Sequence, residues 1–190
     1  MVVSSTMLPL GTTAPAFSLP DTVGGDTVSP DGFTEKALLV IFMCNHCPFV
    51  KHVAGGLVEL SRDYAGRDVA IVGISANDTE THPGDSPEEL GRVAREMGYG
   101  FPVLFDETQE VSKAYTAACT PDFFLFGPDR TLVYRGQFDD SRPNTDTPVT
   151  GADVRAAIDA VLRDGPVPET QRPSVGCNVK WKPGNEPDYA

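Results

Sequence analysis

The stretch that decides the fold is Ala37-Leu38-Leu39-Val40-Ile41-Phe42-Met43-Cys44-Asn45-His46-Cys47-Pro48. Its first part, residues 37–43, is a continuous apolar run. Such a run is typical of a strand that is covered on both faces in a largely parallel sheet. The two cysteines follow at the carboxyl end of this strand, which is where open α/β sheets place their functional groups. The stretch therefore predicts a buried central strand and a chemical site at its end.

Strand and helix signals alternate along the rest of the chain. Further strands are predicted at 69–74, 101–105, 123–126 and 131–134. Helices are predicted after Cys47 and after the N-cap signals at Ser86, Asp106 and Thr150. The paired glycines Gly55-Gly56 lie inside the first helix, and we expect close packing or a kink there. This order of elements predicts an α/β fold with a mixed sheet and helices on both faces.

The chain is interpreted as one domain, residues 1–165, followed by a tail, residues 166–190. The domain begins with a strand-poor N-terminal extension. The tail holds several prolines, Cys177 and the only tryptophan, Trp181. This composition resists regular structure, so we expect an irregular C-terminal tail. Because the tail carries a tryptophan and a cysteine, we expect it to pack on the domain.

Composition and charge exclude several classes of protein. Hydrophobic residues make up 40% of the chain and charged residues 22%, the proportions of a chain with a buried core. The net charge of −12 repels phosphate backbones and anionic lipid headgroups, which argues against nucleic acid and membranes as partners. No apolar run is long enough to cross a bilayer, and residues 1–15 lack the pattern of a secretory signal. We therefore expect a cytoplasmic protein.

The cysteine pair offers redox chemistry. Cys44 and Cys47 lie at a predicted helix start, where free N–H groups and the helix dipole favour a thiolate. Two cysteines separated by two residues can close a disulfide, and His46 between them would stabilise the reduced thiolate. Three alternatives are less favoured: an inert buried pair, half of a zinc site that lacks two ligands, and a copper site that recruits a third thiol.

Three segments resemble a known family. They are the cysteine pair after the strand, Thr120-Pro121 before the strand at 123–126, and the arm Ala-Pro-Ala-Phe-Ser-Leu-Pro-Asp at 14–21. Together they resemble the thioredoxin fold in its peroxiredoxin-like branch, which contains alkyl hydroperoxide reductase, thiol-specific antioxidant (AhpC/TSA) and redoxin proteins. The run Cys-Asn-His-Cys-Pro-Phe-Val-Lys-His-Val at 44–53 resembles members that carry a thioredoxin-type CxxC. The tail segment 176–185 is similar to the same group.

The resemblance implies roles for individual residues. Cys44, as the exposed cysteine at the helix tip, would be the attacking thiolate and Cys47 the resolving one. Asn45, His46 and Pro48 would modulate the site. Thr120 and a cis Pro121 would face the cysteines and bind the backbone of a substrate disulfide.

In the peroxiredoxin interpretation the two cysteine roles reverse. Cys47, followed by Pro48, matches the position of the peroxidatic cysteine. The threonine or serine that the family carries three residues earlier is Cys44 here, and the proline seven residues earlier is Val40. The arginine expected before the later strand is missing from residues 119–124. Peroxidase chemistry therefore loses most of its supporting residues.

The other two cysteines are possible additional redox thiols. Cys119 is either such a thiol beside the site or a small core residue. Cys177 either docks near the site or is a free surface thiol. His52 and His82 are expected to be solvated or helix-surface residues and not ligands, and the polar loop 79–85 is interpreted as a surface insertion.

The predicted function is thiol-disulfide oxidoreductase, with the redox-active Cys44–Cys47 disulfide in place of any cofactor or metal. Expected partners are a protein or small-molecule disulfide or thiol substrate and a reductant such as a thioredoxin or glutathione system. Two alternatives stay open: a thiol peroxidase that uses Cys47, and a copper-binding or redox-sensing protein without turnover.

Overall fold

A computed structural model describes residues 1–190. The strands are β1 (Val2–Ser4), β2 (Leu19–Pro20), β3 (Thr27–Val28), β4 (Ala37–Phe42), β5 (Val69–Ser75), β6 (Val103–Phe105), β7 (Cys119–Thr120), β8 (Asp122–Phe126), β9 (Leu132–Gly136) and β10 (Val175–Asn178). The helices are α1 (Pro48–Asp63), α2 (Pro87–Met97), α3 (Glu110–Ala114) and α4 (Ala152–Leu162). Short 3₁₀ turns lie at Pro30–Gly32 and Pro83–Asp85. None of the helices combines the length and the apolar character that a bilayer crossing needs.

The central sheet has the strand order β6-β5-β4-β8-β9. Strand β4 lies in the middle, parallel to β5 and antiparallel to β8, which confirms the predicted mixed sheet. Every residue of β4 is buried, because alternate side chains enter two separate cores. Leu39 and Ile41 pack into the core that α1, α2 and α4 cover. Leu38 and Val40 pack into the core on the opposite face, which the N-terminal extension helps to close.

Helix α1 follows β4 after a five-residue loop and packs tightly at one of its two glycines. A Cβ atom on Gly56 would lie 2.8 Å from side-chain atoms of both Phe138 and Val149, whereas Gly55 has nothing within 4 Å. The expected close packing is therefore confirmed at Gly56. This contact holds the helix against the sheet and so fixes where its N-terminus stands relative to the end of β4.

Two helix starts differ from the sequence prediction. The cap at Ser86 is confirmed, since its hydroxyl accepts a hydrogen bond from the Glu89 N–H. Helix α3 instead starts after Gln109, because Asp106 is fully buried and its carboxylate accepts hydrogen bonds from Ser112. Helix α4 is capped by Gly151 with φ 66°, a backbone conformation that glycine adopts more readily than Thr150 would.

The C-terminal tail departs from the irregular structure that we expected. Its strand β10 lies between β1 and β7 in a second, antiparallel sheet. The prediction missed this strand because Val-Gly-Cys-Asn has no alternation of apolar and polar residues. Gly176 permits the pairing, since a Cβ atom there would stand 1.9 Å from the carbonyl oxygen of Thr120. The tail thus brings Cys177 to the loop that precedes β8.

Candidate redox site

The two cysteines of the CxxC stretch lie between β4 and α1, and both are free thiols. Cys47 is the N-cap of α1 and Pro48 is its first residue, which suits a position whose N–H would have no partner within the helix. Cys44 is only 1% exposed and Cys47 is 0% exposed. The expectation that Cys44 is an exposed helix-tip thiol is therefore wrong.

A buried carboxylate, that of Asp85, lies against the two residues between the cysteines. Asp85 accepts hydrogen bonds from the Asn45 N–H at 2.7 Å and from His46 Nδ1 at 2.5 Å. A third comes from Asn77 Nδ2 at 2.9 Å. Most of the loop 79–85 lies at the surface, as expected, but Asp85 at its end is 0% exposed and reaches the site. Sequence reasoning missed this residue because nothing local distinguishes a buried aspartate in a polar loop from a solvated one.

The same loop brings a second histidine to the site. The His82 ring lies over the His46 ring, with the two centroids 4.7 Å apart. Burial is the main reason that the pKa of His82 is lowered, and the neighbouring His46 adds to the effect. His82 is therefore half-buried beside His46, at the edge of the site. His52 lies elsewhere, where its Nε2 is 3.0 Å from the Ser141 hydroxyl.

The electrostatics of the site distinguish the two thiols. A hydrogen bond from the Cys44 thiol is the largest cause that lowers the pKa of Cys47, to about 4, and the Cys177 thiol and the Val50 N–H add to it. Donating that hydrogen bond raises the pKa of Cys44 well above its usual range, as do burial and the charge of Asp85.

One contact opposes the lowering of the Cys47 pKa. Cys47 Sγ lies 3.1 Å from the carbonyl oxygen of Thr120, which favours a protonated sulfur. The two thiol donors and the N–H groups at the helix start outweigh a single carbonyl dipole. These interactions favour the thiolate on Cys47, whereas the sequence led us to expect it on Cys44.

The loop before β8 faces the pair. The Thr120-Pro121 peptide bond is cis, as predicted. The Thr120 hydroxyl lies 3.5 Å from Cys44 Sγ, so this residue touches both cysteines. The main-chain edge that we expected to bind a substrate is not free, because Thr120 pairs with Cys177 and Cys119 pairs with Asn178.

The two remaining cysteines have different surroundings. Cys119 is 0% exposed, and burial raises its pKa far above the usual range. The only polar contact of its thiol is with the Pro121 carbonyl oxygen at 3.9 Å, the environment of a small core residue. Cys177 is half-buried and packs against the core cluster that contains Cys44 and Cys47. Burial and its hydrogen bond to Cys47 raise the pKa of Cys177 to about 11.

A second buried acid, Asp122, directly follows Thr120-Pro121 in the sequence. Asp122 is 0% exposed, and its Oδ2 has no hydrogen-bond partner. Burial raises the pKa of this carboxyl to about 7. Sequence reasoning passed over Asp122, although an aspartate directly before the apolar run Phe-Phe-Leu-Phe is a signal of a buried charge.

The side of Cys44 away from the tail opens onto a groove of about 480 Å³. Its walls include Cys44, His46, Lys51, Arg92 and Tyr99. The groove gives a small molecule or an extended side chain a route toward the pair. Lys51 lies on its rim, where Arg92 is paired with the carboxylates of Glu89 and Glu96.

One group of side chains at the site has the chemistry of metal ligands. Atoms of Cys44, His46 and Asp85 lie within 4.8 Å of one another. Three ligands are one short of a structural zinc site. Both oxygens of Asp85 already accept hydrogen bonds, and Cys47 and Cys177 are not part of the group. The arrangement suits hydrogen-bonded positioning of His46 better than metal binding.

Comparison with known proteins places the chain among redox proteins. The sequence profile of the AhpC/TSA family matches residues 10–135. A Mycobacterium tuberculosis protein named as a candidate peroxiredoxin is 28% identical over 116 residues, which cover 61% of this chain and 69% of that protein. The crystal structure of an uncharacterized conserved protein from Geobacillus kaustophilus is 54% identical, with a TM-score of 0.95 over 97% of this chain and 98% of that chain.

The fold itself is confirmed by a more distant structure. A protein from Neisseria meningitidis, described as a candidate thioredoxin, has a TM-score of 0.63 at 23% identity. The superposition covers 81% of this chain and 92% of that chain. The likeness bears on the fold alone, and the fold is thioredoxin-like.

Proposed function

The chain belongs to the AhpC/TSA family, and we propose that it is a thiol-disulfide oxidoreductase that exchanges a Cys44–Cys47 disulfide with protein or small-molecule thiols. The observation that carries the proposal is the position of Cys47 at the start of α1, three residues after Cys44, with Thr120 in contact with both sulfurs. The neighbouring Cys44 side chain is the largest cause that lowers the pKa of Cys47. A stabilised thiolate beside a second thiol is what disulfide exchange requires.

The reaction begins at Cys47. Its thiolate attacks one sulfur of a substrate disulfide, and the other sulfur leaves as a thiolate. Cys44 then passes its proton to the released substrate thiolate and attacks Cys47 Sγ in the mixed disulfide, which releases the second substrate thiolate and forms the Cys44–Cys47 bond. Two electrons have passed to the substrate, and a dithiol reductant, or two monothiols, returns the pair to its reduced state.

The second step depends on the change in charge on Cys47. While Cys47 is a thiolate, it holds the Cys44 proton through their hydrogen bond, and its charge adds to that effect. Both influences vanish once Cys47 is part of a mixed disulfide, so the pKa of Cys44 falls when its thiolate is needed. The roles are thus the reverse of those implied by the resemblance.

The same electrostatics bear on the direction of electron flow. Interactions that stabilise the Cys47 thiolate stabilise the reduced pair, and they are lost in the disulfide. A pair of this kind has a higher reduction potential than one without a stabilised thiolate. We therefore infer that the Cys44–Cys47 disulfide is an oxidant toward ordinary protein thiols.

A thiol peroxidase is the second candidate, and the position of Cys47 favours it. A thiolate at the helix start, followed by Pro48, can attack a peroxide oxygen to give a sulfenic acid and water or an alcohol. Cys44 would then condense with the sulfenic acid, forming the disulfide and a second water. Against this, no arginine hydrogen-bonds to either sulfur, so the peroxide would lack the cation that the family provides.

Two assays on the variants Cys44→Ser and Cys47→Ser distinguish the two candidate functions. We expect both variants to lose catalysed reduction of insulin by dithiothreitol, because exchange needs both sulfurs. Cys119→Ser is the matched control, since its thiol is fully buried and contacts the Pro121 carbonyl oxygen and not the sulfur of Cys44 or Cys47. A Cys47→Ser protein that reduces insulin at the wild-type rate would overturn the proposal. Rapid, saturable peroxide consumption that survives in Cys44→Ser but not in Cys47→Ser would favour the peroxidase.

A further inference from the structure

The tail occupies the place beside the redox pair where an incoming strand would bind. Strand β10 pairs with β7 in an antiparallel register that sets Cys177 opposite Thr120. Thr120 is also the residue whose carbonyl oxygen lies 3.1 Å from Cys47 Sγ. The close approach depends on Gly176, as the 1.9 Å distance from its hypothetical Cβ to Thr120 shows. A cysteine of the chain itself therefore stands where a substrate cysteine would.

The tail is held in this position from both sides. Ser5 donates its N–H to the Ser174 carbonyl at 2.9 Å, and the amino terminus of Met1 donates to Asn178 Oδ1 at 3.1 Å. On the other side, the Val179 N–H donates to the Ala118 carbonyl at 3.0 Å. Cys177 is thus fixed against the pair by backbone hydrogen bonds, not carried on a loose end.

Cys177 is more exposed to solvent than Cys44 and Cys47. Cys44 and Cys47 are 1% and 0% exposed, whereas Cys177 is half-buried at the surface of the second sheet. A large thiol partner that approaches from the tail side meets Cys177 before it meets Cys47.

We propose that Cys177 is a third redox thiol, which takes the disulfide from the buried Cys44–Cys47 pair and presents it to a thiol partner at the surface. This inference rests on the proposed function and adds a second redox-active disulfide, Cys47–Cys177. The chemical class of partner is a thiol reductant that is too large to reach Cys47 while the tail is in place.

The exchange balances without any further oxidant. The Cys177 thiolate attacks Cys47 Sγ, the Cys44–Cys47 bond breaks, and Cys44 leaves as a thiolate that takes up the proton lost by Cys177. A partner thiolate then attacks Cys177 Sγ and expels the Cys47 thiolate. A second partner thiol resolves the mixed disulfide, so that the partner leaves oxidised and all three cysteines are reduced.

The thiol chemistry favours each of these steps. Two of the three influences that raise the pKa of Cys177 come from the Cys47 thiolate, and they disappear when Cys47 is in a disulfide. The positive charges of Lys180 and the amino terminus, which lower that pKa, remain. In the last exchange, Cys47 has the lowest pKa of the three thiols, and a thiol of low pKa is the better leaving group.

The direct test is to trap the second disulfide in Cys44→Ala. Trypsin separates the relevant sulfurs, because Cys47 falls in the peptide 37–51, Cys119 in 114–130 and Cys177 in 164–180. After treatment of the full-length variant with oxidised glutathione and alkylation of free thiols, we expect peptide 37–51 linked to peptide 164–180. The link should persist in Cys44→Ala/Cys119→Ala. A glutathione adduct left on Cys47 with Cys177 alkylated, or a link to peptide 114–130, would overturn the proposal.

A kinetic test uses variants that keep Cys44 and Cys47. Cys177→Ser, oxidised to the Cys44–Cys47 disulfide, should be reduced by a thioredoxin about tenfold or more slowly than the wild type, while Cys119→Ser matches the wild type. Equal rates for Cys177→Ser and the wild type would refute a role for Cys177. Should the Cys44–Cys47 disulfide not form in Cys177→Ser at all, the proposed function itself would fail, so the two failures are distinguishable. Because this kinetic test does not use Cys44→Ala, it tests the role of Cys177 even if that variant does not fold.

Discussion

The protonation of the reduced pair allows a sharp prediction. A pKa of about 4 makes Cys47 predominantly a thiolate at pH 7. A free cysteine, with a pKa of about 8.5, is only about 3% thiolate at that pH. Since the hydrogen bond from Cys44 is the largest cause of the lowered pKa, Cys44→Ala should move the midpoint of the titration upward, toward the free value.

Thiolate absorbance at 240 nm measures this midpoint in the reduced protein. We expect one step near pH 4 in the wild type, no such step in Cys47→Ser and a step at higher pH in Cys44→Ala. Linkage gives a second readout, because a folded pKa below that of the unfolded chain adds stability above pH 4. The reduced protein should therefore gain stability relative to the disulfide form as pH rises from 4 toward 9. A wild-type midpoint near 8.5, or a midpoint near 4 that stays in Cys47→Ser, would refute the assignment.

Three further predictions concern the surroundings of the pair. Gly176→Ala should detach β10, cost about 1–3 kcal/mol in denaturant unfolding and speed alkylation of Cys47, whereas Gly55→Ala, with nothing within 4 Å, should not destabilise the protein. Asp122 has a folded pKa of about 7 against about 3.9 for an unperturbed aspartate, so in the disulfide form, where Cys47 does not titrate, stability should fall as pH rises from 4 to 7. Asp122→Asn should remove on the order of 4 kcal/mol of that loss, seen as a melting temperature of the disulfide form that is less sensitive to pH. Asp85→Asn removes a charge that raises the pKa of Cys44, so Cys44 should be alkylated at lower pH than in the wild type; an unchanged pH profile would contradict that cause.

Local patterns in the sequence were enough to predict the scaffold. The apolar run of β4 encodes burial on both faces, and the cap at Ser86 encodes a helix start through neighbouring residues. The position of Cys47 at the beginning of α1 follows from the same local rules. These features are predictable because the interactions that create them lie within a few residues of one another.

The identity of the thiolate was not predictable in this way. It depends first on the interaction between the two thiols, and then on the burial of Cys44 and the charge of Asp85, which reaches the pair from the loop after β5. Sequence reasoning placed the attack on Cys44, because it assumed that the first cysteine of the motif lies at an exposed helix tip. Burial and the field of distant charges are sums over the whole fold, and no short pattern encodes them.

The sequence by itself determined the α/β scaffold, the pair of sulfurs at the end of its central strand and the proline loop that faces them. Only the tertiary structure decided that Cys177 reaches that pair, because β10 is created by pairing with β1 and β7 from far along the chain. Backbone hydrogen bonds between distant segments form only when the fold brings those segments together. Gly176 permits the close approach of β10 to Thr120, but a glycine in the sequence does not predict a strand.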